Sequence, residues 1–174
     1  MDAQSGREAT PTRERTTVER SSERELVVTR TIDGPARIVF DAWTAPELLK
    51  RWWVPRSVPI TLLSCDMDVR VGGTYRLVFQ VDPTTTMAFF GRYLEVSPPS
   101  RLVWTNEEGE GDAVVTTVTF DEDQGRTRLV VHDLYPSKDA LDDAIASGST
   151  AGWVEMLDQL DELLLEPGAS SEGA

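Results

Sequence analysis

A single cysteine, Cys65, and a single histidine, His132, in 174 residues leave this chain short of most catalytic hardware. One cysteine excludes a disulfide within the chain and a multi-cysteine metal site, so an oxidising compartment is not implied. One histidine means that any Ser-His-Asp or Cys-His scheme must run through His132. No stretch approaches the roughly 20 apolar residues of a membrane helix, and MDAQSGREATPTRERTTVERSSERE has no apolar core of the signal-peptide kind. The expectation is a cytoplasmic protein without a membrane span. Basic charge is scarce as well: 17 Lys and Arg stand against 30 Asp and Glu, a net charge of −13. Such a surface repels phosphate backbones and argues against a nucleic-acid partner; its simplest role is solubility.

What is present suffices for one domain with a full core. Hydrophobic residues make up 40% of the chain, with five Trp, five Phe and three Tyr. Residues 1 to 24 carry five acids and five Arg and almost nothing bulky, so they are expected to be a disordered tail. PGASSEGA at 167 to 174 opens with a helix-stopping Pro-Gly and reads as a second, shorter tail. The folded domain is expected over 25 to 166.

Within it, LVVTRTI at 26 to 32 is β-branched and reads as a strand closed by Asp33-Gly34-Pro35. Ile38, Val39, Ala42 and Trp43 then recur at helical spacing, and Pro46 opens a second short helix towards Trp52. From Leu63 to Val71 the odd positions are Leu, Cys, Met, Val and Val, the even ones polar, which predicts a strand with one wet face. Gly72-Gly73 turns it into Thr74 to Val81, where Tyr75, Leu77, Phe79 and Val81 share a face. Further strands are expected at 87 to 96, 102 to 106, 113 to 120 and 126 to 132, then a short helix at 138 to 146. Last comes a long helix in which Trp153, Met156, Leu157, Leu160 and Leu164 form an apolar stripe. A six-stranded meander must bury one face, and the last helix is the element long enough to cover it.

The runs PARIVFDAWTAPELLKRWWVP at 35 to 55, VGGTYRLVF at 71 to 79, GRYLEVSPPSRLVWT at 91 to 105, VTFDEDQGRTRLVV at 118 to 131 and AGWVEMLDQLDELL at 151 to 164 carry a family resemblance. They resemble, in order, the bacterial proteins named after the C-terminal domain of the activator of the heat-shock-protein-90 ATPase, part of the START-related superfamily. The resemblance implies an α+β helix-grip fold, a curved antiparallel sheet of about seven strands around a long C-terminal helix. It also implies a cavity for a hydrophobic small molecule such as a lipid, polyketide or aromatic metabolite. Some relatives are cyclases, so a cyclase or hydrolase using the same cavity is the first alternative, and a chaperone-associated interaction module the second.

The residues themselves offer no catalytic constellation, metal site or cofactor motif. Cys65 alternates with Leu63 and Met67 and reads as a core residue, and Asp66 and Asp68 as a solvated strand face. Gly72-Gly73 lies between two strands and cannot cradle a phosphate as a strand-to-helix loop does. If a cavity exists, the inward residues of sheet and helix should line it: Tyr75, Phe79, Phe89, Trp104, Trp153, Met156, Leu157 and Leu160, with His132 as a polar contact. Asp133 follows His132, and adjacent strand residues face opposite ways. Oligomeric state stays open between monomer and homodimer.

Overall fold

In the computed structural model of the chain, residues 16–107, 112–148 and 150–165 are described. The elements run β1 (Thr16–Arg20), β2 (Glu25–Ile32), α1 (Ala36–Thr44), α2 (Pro46–Leu49), β3 (Thr61–Met67), β4 (Thr74–Asp82), β5 (Thr85–Ser97) and β6 (Arg101–Asn106). There follow β7 (Val114–Asp123), β8 (Arg126–Leu134), α3 (Lys138–Ala146) and α4 (Gly152–Leu165). All eight strands join one antiparallel sheet in the order β1-β2-β8-β7-β6-β5-β4-β3. β3 to β8 form the expected meander, β2 pairs with β8, and α4 lies against β1, β2 and α1, which is the helix-grip arrangement. Among the described residues no helix is long and apolar enough to cross a membrane.

Local chemistry explains most of these boundaries. β2 alternates strictly, with Leu26, Val28, Arg30 and Ile32 inward. β8 does the same through Thr127, Leu129, Val131 and Asp133. Pro46 occupies the first turn of α2, where its missing N–H costs nothing. The Ser137 hydroxyl caps α3 by accepting from the Ala140 N–H. Gly72 turns β3 towards β4 at φ 84°, a left-handed conformation that suits glycine. Gly91 answers a different need: a Cβ there would overlap the Thr105 carbonyl, so its absence lets β5 and β6 approach closely.

Three expectations need correction. Residues 16 to 20, assigned to a disordered tail, form the edge strand β1, paired with β2 in the register Thr16↔Arg30 to Arg20↔Leu26. Only Thr16 of this strand is buried, so hydrophobicity gave no sign of it; the backbone ladder holds it. The remainder of that tail, residues 1–15, and the tail at 167 to 174 lie outside the described residues. Second, the alternation in β3 breaks at a bulge between Leu62 and Ser64, which turns Leu63 outward to 51% exposure and brings Leu62 against the core. Val71, assigned to the apolar face, is exposed in the turn. Third, α4 does not cover the sheet alone, because α1 packs on β7 and β8 beside it.

All five tryptophans meet in one cluster between α1, the residues after α2, the sheet and α4. Trp43 lies at its centre, with ring centroids 4.8 Å from Trp52, 5.8 Å from Trp53, 5.9 Å from Trp104 and 6.2 Å from Trp153. The Trp52 Nε1–H donates to the Ala42 carbonyl at 3.0 Å, tying the α1–α2 unit to itself.

The sheet's other end is held by charge. Arg30, fully buried, reaches Asp158 Oδ1 at 2.6 Å and Asp161 Oδ2 at 2.8 Å on α4 and bonds to the Thr16 hydroxyl of β1 at 2.7 Å. A buried guanidinium is tolerable only with such partners, and here they fix the rotation of α4 against β1 and β2.

Candidate functional site

A cavity of about 610 Å³ opens between the inner face of β4 to β8, residues 53 to 60, the α3–α4 turn and the first turns of α4. Phe79, Phe89 and Trp104 supply its sheet wall, Trp153 and Met156 its helix wall, and Trp53 and Ile60 its loop wall. A smaller void of about 50 Å³ lies beside it, shares Trp53, Phe89, Trp104 and Asn106 with it, and is closed by Tyr75, Tyr93 and Met67. The larger space falls within the range of small-molecule sites, roughly 300–1,000 Å³, and its lining is mainly aromatic and aliphatic. It exists because α4 starts only at Gly152 and its N-terminal end stands away from the sheet, while its middle packs tightly through Leu157 and Leu160. Gly152 belongs to this geometry: a Cβ there would press on the Pro55 ring at 3.3 Å.

One wall is polar, and it is connected. Trp104, Thr116 and Asp133 are cross-strand neighbours on β6, β7 and β8. Tyr75 Oη and Trp104 Nε1 donate to Asn106 Oδ1 at 3.2 and 3.3 Å, and Tyr75 Oη also reaches the Thr105 carbonyl at 2.7 Å. Asn106 Nδ2 donates to the Thr116 hydroxyl at 2.9 Å and to the Val114 carbonyl at 3.2 Å. Thr116 Oγ1 then donates to Asp133 Oδ1 at 2.6 Å. The chain of bonds orients Tyr75, Trp104, Asn106, Thr116 and Asp133 before any ligand arrives.

Asp133 ends the chain, 8% exposed. Burial pushes its carboxyl up to about 6, against the opposing pull of the Thr116 hydrogen bond and of His132. Among the described residues Thr116 is its one hydrogen-bond partner. Tyr135, also on this wall, has its phenol pushed up to about 12 by burial and by the Asp133 charge.

Of the residues expected at the cavity, Phe79, Phe89, Trp104, Trp153 and Met156 line the larger space and Tyr75 the smaller. Leu157 and Leu160 line neither; both are fully buried in the core, on the part of α4 that touches the sheet. His132 is on the outer face, a third exposed, with Nε2 3.1 Å from Glu25 Oε2 of β2. The period of two sends its neighbour inward instead, so the polar contact expected of His132 falls to Asp133. Parity with Leu129 and Val131 was the available signal for Asp133, and parity with Val118 and Phe120 the signal for Thr116.

Cys65 and Asp68 lie outside this space. Cys65 is half-buried beside Met67, and burial pushes its thiol up to about 11, far from a nucleophile's range. Asp68 pairs with Arg70 at 2.9 Å, and among the described residues no three metal-ligating side chains converge.

Comparison with known proteins supplies the lineage. The family model described as Activator of Hsp90 ATPase homolog 1-like protein matches residues 33–165, from just before α1 to the end of α4. The chain belongs to that family. Among solved structures, a protein from Nitrosomonas europaea is 29% identical, with 83% of this chain and 96% of that one covered and a TM-score of 0.73. A protein from Rhodobacter sphaeroides shares the fold at 24% identity, 87% and 99% coverage and a TM-score of 0.78. An AHSA1-like protein from Aeromonas hydrophila does so at 22% identity, 78% and 90% coverage and a TM-score of 0.62. No curated protein matches the chain. Membership in the Activator of Hsp90 ATPase homolog 1-like family places the chain in the START-related helix-grip superfamily, whose members often bind hydrophobic ligands.

Proposed function

We propose that this member of the Activator of Hsp90 ATPase homolog 1-like family is a binding protein for a hydrophobic small molecule, held in the cavity at the N-terminal end of α4. The observation that carries this reading is the space itself, about 610 Å³ with Trp53, Trp104 and Trp153 on its walls. Rings of this size bury much apolar ligand surface, and each contact removes area from water at roughly 25 cal/mol per Å². A lipid tail, a polyketide or an aromatic metabolite fits that chemistry, and the lone cysteine and acidic composition fit a cytoplasmic home. The test is a tryptophan-fluorescence and thermal-shift screen of such molecules, with mass spectrometry of whatever co-purifies. Saturable binding that is lost in Trp104→Ala and Trp153→Ala supports the reading; no binder in the whole screen counts against it.

A second reading, a cyclase or hydrolase working in the same space, draws on one observation. Asp133 offers a carboxyl raised to about 6 at the cavity wall, in the range useful for proton transfer near neutrality. Turnover of a bound ligand that survives His132→Ala and disappears in Asp133→Asn would establish it.

A further inference from the structure

The cavity's lining has a charge asymmetry that bears on what it admits. Among its described lining residues there is no Lys, Arg or His, and Asp133 is the one carboxylate. Its oxygen Oδ1 takes the Thr116 hydroxyl, while no described residue bonds to Oδ2. Its sequence neighbour His132 lies on the other face of the sheet and is engaged by Glu25. The rest of the wall is rich in indole rings, whose faces attract cations. We propose that the cavity selects an amphipathic molecule bearing a protonated amine, with the ammonium paired to Asp133 and the hydrophobic body among Trp53, Trp104 and Trp153.

This rests on the small-molecule-binding reading above and adds the ligand's charge to it. Burying a carboxylate in an unoccupied site is unfavourable, and that cost is already built into the fold. An arriving ammonium therefore meets a desolvated, pre-oriented partner, and most of its gain appears as affinity. A fatty acid or other anionic amphiphile would bring a second negative charge to a wall without a counter-ion. The N-terminus of α4 contributes a partial positive charge at Gly152 and Trp153, but Glu155 in its first turn sets a full negative charge against it.

The experiment is calorimetric titration of the full chain near neutral pH with three matched compounds: 4-phenylbutylamine, 4-phenylbutanol and 4-phenylbutyrate. The expected order is amine, alcohol, carboxylate, with about tenfold or more between the first two. In Asp133→Asn the amine should weaken to within about threefold of the alcohol. The Asn side chain keeps an acceptor for Thr116, and the wild-type ranking does not depend on any variant. If the alcohol binds as tightly as the amine, or the carboxylate binds best, charge selection is overturned while the cavity reading stands. Full amine affinity in Asp133→Asn overturns it too. If none of the three binds, charge selection is overturned, and the wider screen described above decides the cavity reading separately.

Discussion

Replacing Asp133 by Asn should stabilise the protein near neutral pH and leave it almost unchanged in acid. In the unfolded chain this carboxyl ionises at its ordinary value of 3.8, whereas in the fold burial raises it to about 6. Between those values the folded chain binds more protons than the unfolded one, so stability falls as pH rises through the window. At about 1.4 kcal/mol per pH unit the full penalty above pH ~6 is about 3 kcal/mol, a ceiling because the Asn amide must also be accommodated. Asn retains the oxygen that accepts the Thr116 hydroxyl at 2.6 Å, so the polar chain to Asn106 and Tyr75 survives. A gain of about 1–3 kcal/mol at neutrality is therefore expected, several degrees in Tm for a chain of this size. Urea unfolding of both proteins across pH ~4 to ~8 measures it, and their difference cancels the titrating groups that do not interact with Asp133. The difference should grow from near zero at pH ~4 to its full value by pH ~7. A difference that stays flat with pH, or a variant less stable at neutrality, would refute the assignment of Asp133 as a buried, costly carboxylate.

Arg30→Met should destabilise by about 3–5 kcal/mol in urea unfolding, because Asp158 and Asp161 would lose their shared cation. Converting those two acids to Leu in the same variant should recover most of that loss. Leu160→Ala, at a fully buried position on α4, should cost about 2–5 kcal/mol by the same assay, and a loss under about 1 kcal/mol would contradict its place in the core. Cys65 should react with a disulfide-exchange reagent many times more slowly in the native protein than in denaturant, since its thiol is half-buried and raised to about 11. His132→Ala should leave ligand binding in the cavity unchanged by fluorescence titration, and any large loss would move His132 back into the site.

Much of the fold was legible before the structure. The meander, the α1–α2 unit and α4 announce themselves because periods of 2 and 3.6 are local properties of the chain. What escaped were the features set by partners distant in sequence. β1 has too few apolar residues to signal a strand and exists through its ladder to β2. The bulge at Leu63 reverses a face that alternation alone assigns to the core. Arg30 sits among β-branched residues in a strand pattern, and nothing local says that two acids 128 and 131 positions later will face it. On the polar wall, parity was enough to separate His132 from Asp133, yet only the packing of the helices on one face of the sheet says which parity is inside.

By itself, then, the amino-acid order determined the kinds of element, their succession and which residues share a face, since these follow from backbone geometry over a few residues. Tertiary structure decided where α4 stops touching the sheet, so that Leu157 and Leu160 fill space while Trp153 and Met156 border a void. It also decided the chemistry of that void. A carboxyl's ionisation depends on the water and partners left to it, and those were removed from Asp133 only when the strands and helices closed around it.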